Sequence, residues 1–563
     1  MQFLDARRLT GPNLLMSSPG AILDVQCEPR QVALVIQSWQ RAVQQAADIL
    51  GWKDVEFASR PLTGGLSLAF SAPIDALYAA SEVNQWAYRC IEAELIDKPP
   101  PAFDTVKVNV EKEFEDEQNP QLLELKVAAI QQGVTLLWDD DELSLGLGSG
   151  SKTWPMASLP SETSLDWSKF HDVPIGIVTG TNGKTTTARL AKFILQNSGM
   201  DVGVSCTDWI AVNNEIIDRG DWSGPGGARA ILRRTDATAA ILETARGGLL
   251  RRGLGVERAD AAVITNIAAD HLGDFGSRNL QELLDIKWVV SHAVDSGGVL
   301  ILNADDSLLV DKAQNYRATI VWFSLIHDNP VVLRHLAAGG QAFVLRDKDL
   351  MKLTRDQQET ICPVSDVPIT MSGAARHNVA NALAAAALTH AMGINLEDIA
   401  AGLLKMTQHD NPGRCNLYER GDVRVLVDFA HNPHAIKALF EMASALPARR
   451  RLLAFAQAGD RPDLLIQDMV TEAWSIGLDR VLVSELAHYH RGREHGEVFN
   501  IIHEKFLELG ATPDQIQHFE LETEALLEAI GWAESGDLII MLALDQRDEV
   551  QSMLHAQSYI PAI

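Results

Sequence analysis

The stretch that most constrains this chain is 173–187, VPIGIVTGTNGKTTT. Residues 175–178 read as a short buried strand, and 188–196 as the opening turns of a helix. Between them lie Gly180, Thr181, Asn182, Gly183, Lys184, Thr185 and Thr186. Two glycines stand where the backbone must turn tightly and present its N–H groups, and the new helix adds the positive end of its dipole. In such a loop Lys184 reaches the β- and γ-phosphates, and the Thr185 hydroxyl completes a Mg²⁺ shell. An ordinary strand–turn–helix junction does not require the Gly-Lys-Thr ending. The pattern predicts that the chain binds a nucleoside triphosphate.

The surroundings set that loop in an α/β frame. Apolar runs at 175–178, 239–242, 261–264, 299–302 and 319–323, separated by helix-length segments, predict a parallel sheet covered on both faces. Ligands of such sheets bind at the C-terminal strand ends, and Lys184, Glu243, His271 and Asn303 follow four of them. A second series, from about 423 through 452–455, 481–483 and 538–541, predicts a smaller α/β domain. Before residue 167 the pattern differs, with amphipathic helices expected at 31–49 and 73–96. A Lys98-Pro99-Pro100-Pro101 break, an acidic run over 111–117 and a Ser/Gly/Pro-rich linker at 148–164 follow. A chain of 563 residues is too long for one core and divides into about three or four domains.

Charge and cysteine usage narrow the partners. A net charge of −27 argues against a nucleic-acid backbone or an anionic membrane. Five scattered cysteines without a CxxC pair read as reduced thiols, and no apolar run is long enough to span a bilayer, so a cytoplasmic protein is expected.

Glu243 ends the apolar run 239–242, and a carboxylate at a strand end beside a phosphate loop is a natural Mg²⁺ ligand. His271, in TNIAADHL, reads either as a holder of a second metal or its water, or as a purely structural histidine. His488, His490, Arg491, Arg493 and His495 crowd one polar loop; lacking cysteine, they make a poor zinc set.

Taken in order, GTNGKTTT, Glu243, TNIAADHLGDFGS and Lys287 resemble the central domain of the Mur-type ATP-dependent amide ligases. Asn303-Ala304-Asp305-Asp306, His377-Asn378, Asn381, Asn411-Pro412-Gly413-Arg414 and Asp428-Phe429-Ala430-His431-Asn432-Pro433 continue the series. Ser223-Gly224-Pro225, LETARGG at 242–248, Pro412-Gly413-Arg414-Cys415-Asn416 and the opening ARRLTGPN resemble the cyanophycin-synthetase branch more than the peptidoglycan ligases. That branch carries an ATP-grasp module after its N-terminal domain; here only 148–169 fills the place, so the module and its aspartate-adding site are expected to be missing.

The resemblance implies an α+β N-terminal domain with linker (1–165), a P-loop central domain on a parallel sheet (166–412) and a smaller Rossmann-like α/β C-terminal domain (413–563). It implies ATP and Mg²⁺ as cofactors, with Lys184, Glu243, His271 and Lys287 catalytic, Thr185, Glu243 and His271 on metal, and Lys287 carbamylated. Asn378 and Asn381, one helical turn apart, are expected to face the adenine, Arg414 the phosphates and Asp428 the ribose, with His431 close by. Arg491 and Arg493 are implied to help bind an acidic acceptor; a solvated loop is the alternative.

The implied reaction activates a carboxylate as an acyl phosphate and joins it to an amine, arginine or a similar one, on an aspartate-containing peptide, releasing ADP and phosphate. The substrates are thus a small-molecule amine and a carboxylate or acidic peptide. Neither nucleic acid nor membrane is expected as a partner. A homo-oligomer is expected, with the N-terminal region serving substrate docking or oligomer contact. Two other readings stand beside it: a non-catalytic ATP-binding partner of a full-length synthetase of that branch, and a P-loop kinase.

Overall fold

In a computed structural model, which describes residues 1–62, 64–270, 279–294 and 297–562, the loop lies at the middle of an eleven-stranded sheet. Its order is Glu215–Arg219, Trp209–Val212, Val202–Ser205, Ala239–Glu243, Ile175–Thr179, Ala261–Ile264, Val299–Asn303, Thr319–Ser324, Gln341–Arg346, Asp349–Leu353 and Gln358–Pro363. The strands from Val202–Ser205 to Gln341–Arg346 run parallel, and an antiparallel hairpin closes each edge.

Alternate side chains enter opposite layers. Ile177, Leu242, Ile264 and Leu302 pack in one core beneath helices Pro225–Leu232 and Leu280–Trp288. Val178, Ile241, Val263 and Ile301 pack in the other beneath Lys184–Asn197 and Arg376–Ala391. Burial on both faces is why these strands read as unbroken apolar runs.

All five strands expected from the sequence are present. Four extend one residue further, to Thr179, Glu243, Asn303 and Ser324, so Glu243 and Asn303, which line the site, belong to the strands themselves. The helix after the loop begins at Lys184, four residues before the expected start. The edge hairpins are not among the expected strands, and Glu215–Arg219 is exposed throughout.

At the N-terminus an antiparallel sheet, ordered Gln2–Leu9, Gly20–Gln26, Gly65–Ser71, Phe57–Leu62, buries Leu23, Leu68 and Phe70 against helices Val32–Leu50 and Leu77–Leu95. The acidic run 111–117 ends helix Asp104–Glu117. There Glu117 accepts the Leu77 and Tyr78 N–H groups, both at 2.8 Å, and so caps the neighbouring helix.

The stretch 148–164 has a linker's composition yet is packed. Lys152–Pro155 completes a sheet with Glu142–Leu145 and Leu136–Trp138, and Ser149 N–H donates to the Ala237 carbonyl at 2.7 Å. Thr10 N–H to Arg252 O (2.9 Å), Leu254 N–H to Pro12 O (2.7 Å) and Arg233 Nη1 to Asp139 (2.6 Å) fasten the N-terminal region to the central one.

A fourth sheet runs Ile516–Phe519, Arg480–Ser484, Arg451–Ala456, Leu538–Leu542, Val423–Asp428, Asn416–Arg420, Ile560–Pro561, the first five strands parallel. No described helix is long and apolar enough to cross a membrane.

Candidate active site

The phosphate loop is shaped by steric exclusion. Gly180 and Gly183 have φ of +144° and +85°. A Cβ at 180 would lie 1.9 Å from Thr265 Oγ1, and one at 183 would lie 2.2 Å from Asn381 Oδ1. Only glycine fits on both counts. Gly183 brings no side chain to cap the helix that follows, leaving its first N–H groups for a ligand. Lys184 Nζ donates to the Thr181 carbonyl at 3.0 Å, so the amine lies over the loop.

The TNIA segment braces this loop. Asn182 O accepts from Thr265 Oγ1 (2.7 Å) and Asn266 Nδ2 (3.0 Å), and Ala268 N–H donates to Thr181 Oγ1 at 3.0 Å. Asn303 Nδ2 in turn donates to Thr265 O at 3.0 Å, and Asp306 accepts from Ile267 N–H at 2.6 Å.

A cavity of about 1230 Å³ opens between the central and C-terminal sheets, and loop residues 181–186 line it. Glu243, 1% exposed, lines it too, held by Thr207 Oγ1, which donates to Oε1 at 2.6 Å. Lys287 is 3% exposed and donates from Nζ to the Gly180 carbonyl at 2.7 Å. Burial first, and then the nearby Lys184 charge, push its pKa well below the lysine range. A surface lysine is thereby excluded. His271 lies outside the described residues.

The cradle suits a nucleotide. Its buried oxygen donors, the Thr185 hydroxyl and the Glu243 carboxylate, are of the kind Mg²⁺ takes alongside phosphate oxygens.

The C-terminal region forms the opposite wall. Asn182 and Asn432 exchange amide hydrogen bonds at 3.2 and 2.9 Å, and Asn182 Nδ2 also meets His434 Nδ1 at 3.0 Å. Asp428 accepts the Cys415 N–H at 2.7 Å, and His377 Nε2 lies 3.1 Å from Cys415 Sγ. Burial and then Asp428 raise the Cys415 thiol well above its usual value, keeping it protonated. Asn378 donates to Ile369 O at 2.9 Å and accepts from Asn381 at 3.1 Å; both line the cavity, with Asn381 pressed against the loop at Gly183.

Arg414 reaches Asp208 at 3.3 Å, and two further arginines, Arg189 and Arg547, join it there. Burial alone would raise the Asp208 carboxyl; the three guanidiniums outweigh it and hold the group well below the carboxylate range.

The two loop arginines part company. Arg491 lines the cavity and pairs with Asp460. Arg493 is spent on the scaffold, donating to Gly459 O (2.8 Å), Arg461 O (2.8 Å) and Asp463 (2.6 Å). The histidines pair with glutamates, His490 and His518 with Glu485 at 3.2 and 2.8 Å and His495 with Glu520 at 3.0 Å. Sequence reading missed Thr207, Asp208, Arg189, Arg547 and Gln457. None belongs to a motif of the phosphate loop, and only folding brings them together beside the cavity.

Residues 178–389 match the Mur ligase middle domain, and residues 413–543 match the Mur ligase glutamate ligase domain. Through these two matches the central and C-terminal regions of the chain belong to the Mur ligase family. It is 34% identical over 374 residues to the cyanophycin synthetase of Crocosphaera subtropica, and 35% identical over 373 residues to that of Synechocystis sp.. Each alignment takes in 66% of this chain and 42% of the relative, so the chain spans less than half the length of these curated relatives. The UDP-N-acetylmuramoyl-tripeptide–D-alanyl-D-alanine ligase of Escherichia coli is 27% identical over 323 residues, 55% of this chain and 64% of that protein. Among solved structures, E. coli FolC in complex with DHPP and ADP shares the fold, with a TM-score of 0.51 and 21% identity over 68% of this chain and 89% of that one.

Proposed function

We propose that the chain phosphorylates a substrate carboxylate with ATP and joins the acyl group to an amine, arginine or a similar cation, on an aspartate-containing peptide. A carboxylate oxygen attacks the γ-phosphorus and ADP departs. The amine nitrogen then attacks the acyl carbon, inorganic phosphate leaves, and the nitrogen gives up a proton. The observation that carries this reading is the buried set of Thr185, Glu243 and Lys287 around a loop that only glycine can form.

In this reading Lys184 and the helix N-terminus neutralise the transferring phosphoryl group, a step that depends mainly on positioning and charge. Thr185 and Glu243 would hold Mg²⁺, which would supply positive charge at the phosphates. Burial and the Lys184 charge lower the Lys287 pKa, which favours the neutral amine, the form that captures CO₂; the resulting carbamate would support a second ion. Arg414 reaches the phosphates, Asp428 the ribose, and Asn378 the base, while Asn381 steadies the loop. The Asn182–Asn432 pair closes the two walls and excludes water from the acyl phosphate. Arg491 receives the acidic substrate.

The test is ADP release measured over amine–carboxylate pairs, with the product identified by mass. Amide formation from an acidic peptide and arginine is the expected result. No ADP from any pair of amino acids and short acidic peptides overturns the substrate assignment. ADP release that needs no amine favours a kinase.

A further inference from the structure

Three guanidinium groups from separate parts of the chain converge on one carboxylate beside the cavity. Arg189, on the helix after the phosphate loop, donates to Asp208 Oδ2 at 2.6 Å. Arg547, at the start of helix Arg547–Ala556, donates to Oδ1 at 3.1 Å, and Arg414 reaches Oδ2 at 3.3 Å. The Phe429 ring lies 5.6 Å from the Arg414 guanidinium and 5.5 Å from that of Arg547. Arg547 also crosses Gly413, where a Cβ would fall 2.1 Å from its Cδ. Asn411 accepts from Arg189 Nη1 and donates to Thr186 Oγ1, both at 3.1 Å. The segment 411–414 is therefore gripped between the phosphate-loop helix and the last helix.

Asp208 is the one carboxylate that pairs with all three arginines, while Glu243 and Asp428 act on Arg414 from further off. Arg189 Nε, Arg414 Nε and Arg547 Nη1 are buried without a hydrogen-bond acceptor among the described residues. Buried N–H groups left without an acceptor favour a further anionic acceptor close by. Of the three, Arg414 makes the longest contact and is the one that lines the cavity. Asp208 keeps two partners when Arg414 turns toward an incoming phosphate. Its neighbour Thr207 holds Glu243 at 2.6 Å. Two adjacent residues just beyond strand Val202–Ser205 thus hold an acidic and a basic group of the cavity wall.

We propose that Asp208 is a positioning residue. It holds Arg414 within reach of the nucleotide phosphates and ties that placement, through Arg547, to the docking of the C-terminal region. Its effect falls on turnover rather than on ground-state nucleotide affinity; the kinetic part rests on the ligase reading above.

The first experiment is Asp208→Asn in the full chain, with ADP binding followed by calorimetry and turnover by ADP release. ADP affinity should stay within about threefold of wild type while kcat falls about 10- to 100-fold, the scale of a misplaced catalytic group. Asp208→Glu should recover at least about a third of the wild-type rate, because it restores the charge. Equal losses of affinity and turnover, or a wild-type kcat, overturn the proposal. Asp208→Asn also strips a buried counterion from Arg189 and can fail to fold. Arg547→Gln leaves the Asp208–Arg189 pair standing and should show the same split with a loss of about 5- to 10-fold; unchanged turnover overturns the proposal. If the wild-type chain turns over no acid–amine pair, the ligase reading fails by itself. Hydrogen exchange on ADP addition then decides the role of Asp208. Wild type should protect 411–416 and 545–556 together, and Asp208→Asn only the loop; joint protection in the variant overturns the coupling.

Discussion

The two walls of the cavity are built by different rules. On the central sheet Thr185, Glu243 and Lys287 are at most 4% exposed, and each is fixed by a neighbour of the loop or by packing. Across the cavity the Arg491 side chain is 42% exposed and that of His431 25%. A phosphate chain presents the same geometry in every turnover, so a rigid, desolvated and fully braced wall is favoured there. In the proposed reaction acid and amine substrates would enter and their amide would leave, which suits the more exposed ion pairs on this side, since these open at little cost.

That contrast breaks most sharply at the phosphate loop. Lys184→Ala should weaken nucleotide binding by about 1.5–3 kcal/mol and slow turnover by about 10²–10³-fold, read by calorimetry and ADP release. A variant that binds and turns over normally would mean that the rigid wall is not the phosphate wall.

Lys287→Ala sharpens the same wall from behind. ADP affinity should stay close to wild type while turnover drops about 10- to 100-fold, the usual reach of a residue that supports a ligand rather than touching it. Depleting CO₂ should slow wild type, bicarbonate should restore it, and short-chain acids should partly rescue the alanine variant. Wild-type turnover by Lys287→Ala would remove the lysine from the machinery.

The seam between the walls is probed by Asn182→Ala, which cuts the reciprocal amide pair with Asn432 and the contact with His434. Looser closure should raise KM for acid and amine by about three- to tenfold with little change in ADP affinity. Unchanged substrate KM values would show that closure does not depend on this pair.

On the substrate wall the smallest effect is expected. Arg491→Ala should raise KM for an acidic substrate about two- to fivefold, because a half-exposed pair contributes little. Arg493→Ala should instead lower thermal stability, since it frees the Gly459 and Arg461 carbonyls. If Arg493 rather than Arg491 controls KM, the division between the two is wrong.

Much of this was legible in the chain itself because the information is local. The loop is a run of consecutive residues whose glycines, lysine and threonine each answer one geometric need, and buried parallel strands announce themselves as apolar runs. Glu243 could be placed at the site because it directly follows such a run. Lys287 could be named but not explained. Only its burial beneath Gly180 shows why it carries a depressed pKa.

The rest depends on residues distant in sequence meeting in space, which no local pattern encodes. Asn182 finds Asn432 across 250 positions, and Asp208 finds Arg547 across 339. The 148–164 stretch, with its glycines and serines, has the composition of a linker and is nonetheless pinned to Ala237. Arg491 and Arg493 are chemically alike, and only their surroundings separate a cavity residue from a scaffold residue. Composition and spacing therefore determine that the chain builds a phosphate loop on a parallel sheet, because backbone sterics and helix dipoles act over a few residues. Which charges face the cavity, and which hold it shut, is decided by packing, because burial and electrostatic partnership exist only once the sheets have met.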